Sequence, residues 1–238
     1  MNGVIAGITL RGMFGRRRAL LLLLLPLTLI GLALALRLTG HAGEEEATVL
    51  LQRFGIATLM PLIALIAASG VLGTEIDDGS FVFLLSKPIS RPVILNSKLA
   101  VAVGLNVVFA AVPVLVAGLI MVGPDGGVAL GFGAGALAGS IAYGAIFVLI
   151  NVLTRHAVVA GLAYALIWES LVGGFVPGAR QLSVEQWALS VADWVATSPA
   201  VHAEVAVMAA LGLLAVVTVG ATVLAGQRLR SLSIAGEA

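Results

Sequence analysis

The chain has 238 residues, 60% of them hydrophobic and only 11% charged, with a mean hydropathy of +1.13. A soluble domain normally carries about 25% charged residues, so this composition belongs to a protein embedded in a membrane. Thirteen basic and twelve acidic residues leave a net charge of +1, which provides no broad basic field for nucleic acid or acidic substrates. The absence of cysteine removes disulfides, thiolate chemistry and Cys-ligated metals.

Crossing a hydrocarbon core of about 30 Å takes about 20 apolar residues in a helix. Six stretches meet that length: Ala19 to Leu36, Thr48 to Gly73, Leu99 to Val122, Val128 to Leu153, Ala157 to Val176 and Ala203 to Gly226. The expected fold class is an all-α membrane protein of six transmembrane helices, one domain over residues 1–238 with no tandem soluble domain. Ahead of the first span, Val4, Ile5, Ile8, Met13 and Phe14 fall along one side of a short interfacial helix within residues 1–18. Arg16 to Arg18 before a leucine run, with Ala33-Leu34-Ala35 after it, imitate a signal peptide. The apolar run exceeds a signal core, however, and its removal would upset the charge balance across the membrane, so it is read as a retained span.

Orientation follows from the short loops. With the N-terminus inside, the cytoplasmic side holds Arg11, Arg16, Arg17, Arg18, Lys87, Arg91, Lys98, Arg155, Arg228 and Arg230, against Arg37, Arg53 and Arg180 outside. The expected protein is multi-pass in the cell membrane with both termini cytoplasmic.

Nucleotide binding through a phosphate loop needs a Gly-rich turn followed by Lys and Ser or Thr. The two lysines stand in Ser86-Lys87-Pro88 and Ser97-Lys98-Leu99, which lack it. His41, His156 and His202 are dispersed, with no second ligand at helical spacing. A nucleophile elbow, a paired-carboxylate site and a zinc-protease motif are not visible. No catalytic residue, metal ligand or bound cofactor is assigned, and the chain is not expected to be an enzyme.

The polar segment from Thr74 to Ser97, between the second and third spans, carries the most information. It runs from an acidic cluster, Glu75, Asp77 and Asp78, through Gly79-Ser80 and an apolar block, Phe81 to Leu85, to Lys87, Pro88 and Arg91. Phe81, Leu84 and Leu85 lie at i, i+3 and i+4, so one helical turn places them on one face. Pro88 then ends that helix, since it has no N–H to donate and disfavours helical angles at Lys87. On spacing alone, two readings stand: the face dips into lipid headgroups while Lys87 and Arg91 meet phosphates, or it docks on a protein partner.

The order Glu75, Gly79-Ser80, Leu84-Leu85-Ser86-Lys87-Pro88-Ile89-Ser90-Arg91, Ile94, Lys98 resembles the loop between the second and third spans of type-two ABC transporter permeases. The resemblance implies that Glu75, Asp77, Asp78, Gly79, Ser80, Phe81, Leu84, Leu85, Lys87 and Arg91 form a coupling helix docked on a separate P-loop ATP-binding ABC subunit, which would hold the ATP and magnesium. Apolar residues would plug a groove while the acids meet basic residues at its rim. Ile76 and Val82 depart from the family pattern, standing where relatives often carry charge. The resemblance further implies a second membrane subunit, identical or similar, and a substrate path between the two halves.

Arg53 and Glu169 lie at similar depth in the second and fifth spans, where an ionisable residue costs about 2.5 to 3.5 kcal/mol. They are expected either to pair or face a polar pathway, or else to be separate, with Arg53 snorkelling outward and Glu169 protonated or hydrated. Pro26, Pro61 and Pro113 sit near span middles and favour kinks. Gly131, Gly135 and Gly139 recur every fourth residue and form a smooth ridge for helix packing. In the outer segment 177–202, re-entrant or interfacial, Ser183 and Gln186 have the spacing of a capping box. Trp187, Val191 and Trp194 fall on one face of the helix that follows, as an aromatic anchor at the interface or, by the resemblance, a helix that helps close the exit.

These features converge on the permease subunit of an ATP-driven exporter. Two other readings use the same residues: a membrane scaffold or assembly factor that recruits a cytoplasmic partner, and an ion-coupled carrier built on Arg53 and Glu169.

Overall fold

The computed structural model describes residues 7, 16–73, 91–154, 156–172 and 179–231. Among them all regular structure is helical. Helix α1 is Arg16–Leu38 and α2 is Glu44–Gly73. Helix α3 runs through Arg91–Asn106, Val107–Ala111 and Val112–Val122 without a break. Then come α4, Val128–Leu153, and α5, Ala157–Ala163 continued by Tyr164–Val172. The last two are α6, Val184–Val195, and α7, Val207–Ser231.

Among the described residues, helices α1, α2, α3, α4 and α7 are long and apolar enough to cross a membrane, while the described part of α5 is shorter, with its apolar stretch at Ala157–Glu169. The interfacial helix expected before the first span lies outside the described residues, but Arg16 to Arg18 already belong to α1. Helix α3 begins eight positions earlier than the apolar run at Leu99, because Pro92 is welcome in a first helical turn and Lys98 finds a buried partner. The chain between α2 and α3 is therefore residues 74–90 rather than 74–97.

Two of the three span prolines occupy a specific place. Pro61 follows the π-helical stretch Leu51–Leu59, and Pro113 follows the π-helical stretch Val107–Ala111. Proline withdraws one N–H from the ladder and crowds the carbonyl a turn earlier, and widening the preceding turn accommodates both effects. Thr58 satisfies a carbonyl there, its Oγ1 donating to Arg53 O at 2.9 Å.

Helix α4 is the axis of the fold, packed by α2, α3, α5, α6 and α7. Its buried side includes Phe132, Tyr143, Phe147 and Val148. At the end holding the α3–α4 turn, Gly123, Gly126 and Gly127 take φ of +73°, +70° and +71°, angles that favour glycine. The same end is fastened by Arg37, whose Nη1 donates to Met121 O at 2.6 Å and ties α1 to the end of α3. Residues 73, 91 and 153 lie at the opposite end.

Candidate functional site

The stems of the segment 74–90 meet in a buried polar junction. Lys98 is 1% exposed, and its Nζ donates to Val71 O at 2.8 Å. Val71 sits in the π-helical stretch Ser69–Gly73, at the end of the described part of α2. Asn151 of α4 closes on the same turn: a Cβ placed on Gly73 would lie 3.2 Å from Asn151 Oδ1. Three helices therefore converge where the chain leaves α2 and re-enters α3. Of the coupling residues read from sequence, Glu75, Asp77, Asp78, Gly79, Ser80, Phe81, Leu84, Leu85 and Lys87 lie outside the described residues. Arg91 begins α3, its side chain likewise outside the description.

A second site lies halfway along α4. Helix α6 runs antiparallel to α4, and the glycine ridge is what it touches. A Cβ on Gly127 would meet Thr197 N at 3.2 Å, one on Gly131 the Ala192 carbonyl oxygen at 2.5 Å, one on Gly135 the Ala188 carbonyl oxygen, and one on Gly139 Ala188 Cβ at 3.2 Å. Gly127 to Gly139 spans about 18 Å at 1.5 Å per residue, so α6 starts near the middle of α4. The other half of α4 is covered by α5, where the Phe147 ring stands edge-on to Tyr164 with centroids 6.0 Å apart. Helices α5 and α6 thus divide one traverse between them, and Glu169 sits at the division.

Glu169 is 5% exposed. Its carboxylate accepts from Tyr164 OH at 3.0 Å, Val184 N–H at 3.3 Å and Glu185 N–H at 3.4 Å. Ser183 Oγ accepts the next amide, Gln186 N–H, at 3.1 Å, the contact expected of a capping box. The first three amides of α6, which no helix can satisfy internally, are all occupied. Arg53 is not among these partners of the Glu169 carboxyl. Arg53 is exposed on α2, and the buried carboxylate is claimed instead by the start of a half-length helix.

The two tryptophans of α6 also differ from the interfacial face expected of them. Trp187 is 4% exposed and donates through Nε1 to Gln181 O at 2.8 Å, whereas Trp194 is 69% exposed. Helix α6 runs along α4 rather than lying flat, so its first turns are buried and its last emerges. That last turn is pinned where Thr197 N–H and Oγ1 both donate to Gly126 O, at 3.2 and 3.0 Å, and where Ser198 bonds Glu44.

Lys98 and Asn151, which frame the junction, and Tyr164, which holds Glu169, were not singled out by sequence as site residues in these roles. The available signal was polar or ionisable residues interrupting apolar runs, which in a membrane face the bundle interior. Asn106 and Ser140 belong with them: Asn106 Nδ2 donates to Ser140 O at 3.3 Å between α3 and α4.

Residues 15–177 match the family model described as ABC-2 family transporter protein. No curated protein matches the chain.

Proposed function

Because this chain belongs to the ABC-2 transporter family, we propose that it is the permease subunit of an ATP-driven exporter, moved by a separate P-loop ATP-binding subunit that docks on residues 74–90. The coarse function, a membrane permease of an ABC transporter, follows from the family. The single observation that supports coupling is that the matched region contains the whole segment, with its acidic cluster, apolar block and Pro88, while the chain itself carries no phosphate-binding loop. Export is the direction of the permeases that the segment resembles.

On this reading the segment end of the bundle is cytoplasmic, both termini lie there, and the protein resides in the cell membrane. Phe81, Leu84 and Leu85 fill a groove of the partner, and Glu75, Asp77 and Asp78 meet its basic rim. A second membrane half, identical or similar, completes the path. Helix α6 then rises from mid-membrane to the outer face and lines the exit.

The test is to isolate the tagged protein from its native membrane in mild detergent and identify what it retains. A P-loop ATPase is expected at near-stoichiometric amounts, and a Glu75→Ala, Leu84→Ala, Leu85→Ala variant should lose it at unchanged membrane abundance. Wild-type protein that retains no ATPase while other complexes survive would overturn the reading.

A further inference from the structure

We propose that Arg53 binds the anionic head of an amphiphilic substrate, a phosphate or carboxylate, with the tail lying inward along Leu62 and Ile66 of the same helix. The proposal names a substrate class for the permease read above and rests on that reading. Helix α2 is the most covered of the five long helices, its most apolar window being 72% buried. From Leu50 to Gly73 a single residue is exposed, and it is Arg53. Helices α1 and α7 show the opposite surface, with Leu20, Leu24 and Leu27 of one and Met208, Val216 and Val219 of the other all more than half exposed. Whatever meets the open side of α2 therefore meets a guanidinium first, and a guanidinium turned to hydrocarbon is strongly penalised.

Among the described residues no hydrogen bond or ion pair engages that guanidinium, while the Arg53 carbonyl accepts from Thr58 Oγ1 at 2.9 Å. Five N–H donors in a planar fork match a phosphate or a carboxylate. Glu169 does not compete for them, since Tyr164, Val184 and Glu185 occupy its carboxyl. Arg53 stands nine positions along α2 from Glu44, about 13 Å at the helical rise. It therefore lies inward of Glu44, Glu45 and Glu46, which open the helix. An anion leaving Arg53 outward meets these carboxylates, which do not retain it. Going inward from Arg53, the half-buried residues at helical spacing are Ala57, Thr58, Leu62 and Ile66. The order is charge, then small and polar, then apolar, and an amphiphile with its head toward the outer face has the same order.

The chain has no cysteine, so a bimane fluorophore enters cleanly at Ala57→Cys, one turn inward of Arg53, and a control label at Val216→Cys on the exposed face of α7. The full chain, with the ATPase it retains, is placed in phosphatidylcholine nanodiscs without nucleotide and titrated with dodecyl phosphate, dodecyltrimethylammonium or inorganic phosphate. Dodecyl phosphate should give a saturable change at Ala57→Cys and no saturable change at Val216→Cys. Its half-saturation should lie about tenfold below that of dodecyltrimethylammonium, rise about tenfold in Arg53→Gln, and stay within about threefold of wild type in Arg53→Lys. ATP trapping should weaken binding about tenfold, as release requires. A titration that Arg53→Gln leaves unchanged overturns the proposal: the guanidinium then only reaches headgroup phosphates or a carboxylate of the second membrane half. Inorganic phosphate binding as tightly as dodecyl phosphate overturns the amphiphile. An affinity indifferent to ATP, in a chain that retains its ATPase, overturns the substrate role and leaves a static lipid site. A chain that retains no ATPase fails the coupling reading instead, and the nucleotide-free titration then reads anion binding at Arg53 on its own.

Discussion

A methyl group added at Gly131 of α4 would come within 2.5 Å of the Ala192 carbonyl oxygen, whereas one added at Gly212 or Gly220 of α7 would meet nothing within 4 Å. Both helices are apolar, long and glycine-bearing, and α7 itself packs on α4. The most apolar window of α4 is 61% buried and that of α7 only 17%, so most of the surface of α7 is left uncovered by the rest of the chain. Small residues therefore do not create close packing by themselves. What separates the two helices is the arrival of another backbone, and α6 arrives at α4 because Glu169 and Ser183 hold its first turn at the right depth.

Substitutions at five positions probe that difference, each read by thermal unfolding in lipid nanodiscs. Gly135→Val is expected to do most harm, about 3 kcal/mol, because the new side chain collides with the Ala188 backbone, which cannot step aside as a flexible side chain would. Trp187 fluorescence should shift to the red as α6 is displaced. Glu169→Ala comes next at about 2 kcal/mol, since the buried amides of Val184 and Glu185 lose their acceptor. Glu169→Gln should cost less because its amide oxygen still accepts, and a Glu169→Ala effect no larger than that of Gln would detach α6 from this carboxylate. Combining Glu169→Ala with Arg53→Ala should be additive, since the two side chains share no contact. Ser183→Ala should cost about 1 kcal/mol, the usual loss of a helix N-cap. Gly212→Ala closes the series with no loss or a slight gain. Destabilisation there would mean that α7 is covered in the assembled protein.

Where composition dictates structure, the sequence was readable. An apolar run of 20 residues has little choice but a helix, and the runs from Thr48, Val128 and Ala203 lie largely within α2, α4 and α7. The Ser183 cap was legible from its spacing because it is a local contact. The start of α3 was not, since Arg91 and Lys98 look like loop charges until a distant carbonyl is known to receive the ammonium. Glu169 was conspicuous as an acid in a span, but its partners are 15 and 16 positions away in a helix that reads as interfacial from its tryptophans. Hydropathy sees how apolar a segment is and not where it stops, so a traverse shared by α5 and α6 looks like one span followed by a surface helix. The π-helical stretches at Leu51–Leu59 and Val107–Ala111 were foreshadowed only by the prolines after them.

The divided traverse also dictates an order of events during synthesis. A membrane span normally enters lipid with its backbone already satisfied. The start of α6 cannot, because its amides depend on Glu169 and its seat depends on Gly131 and Gly135. Helices α5 and α6 therefore settle only after α4 is in place, as a late-closing pair. Until α4 and Glu169 are both in place, the first amides of α6 lack the partners they have in the folded protein.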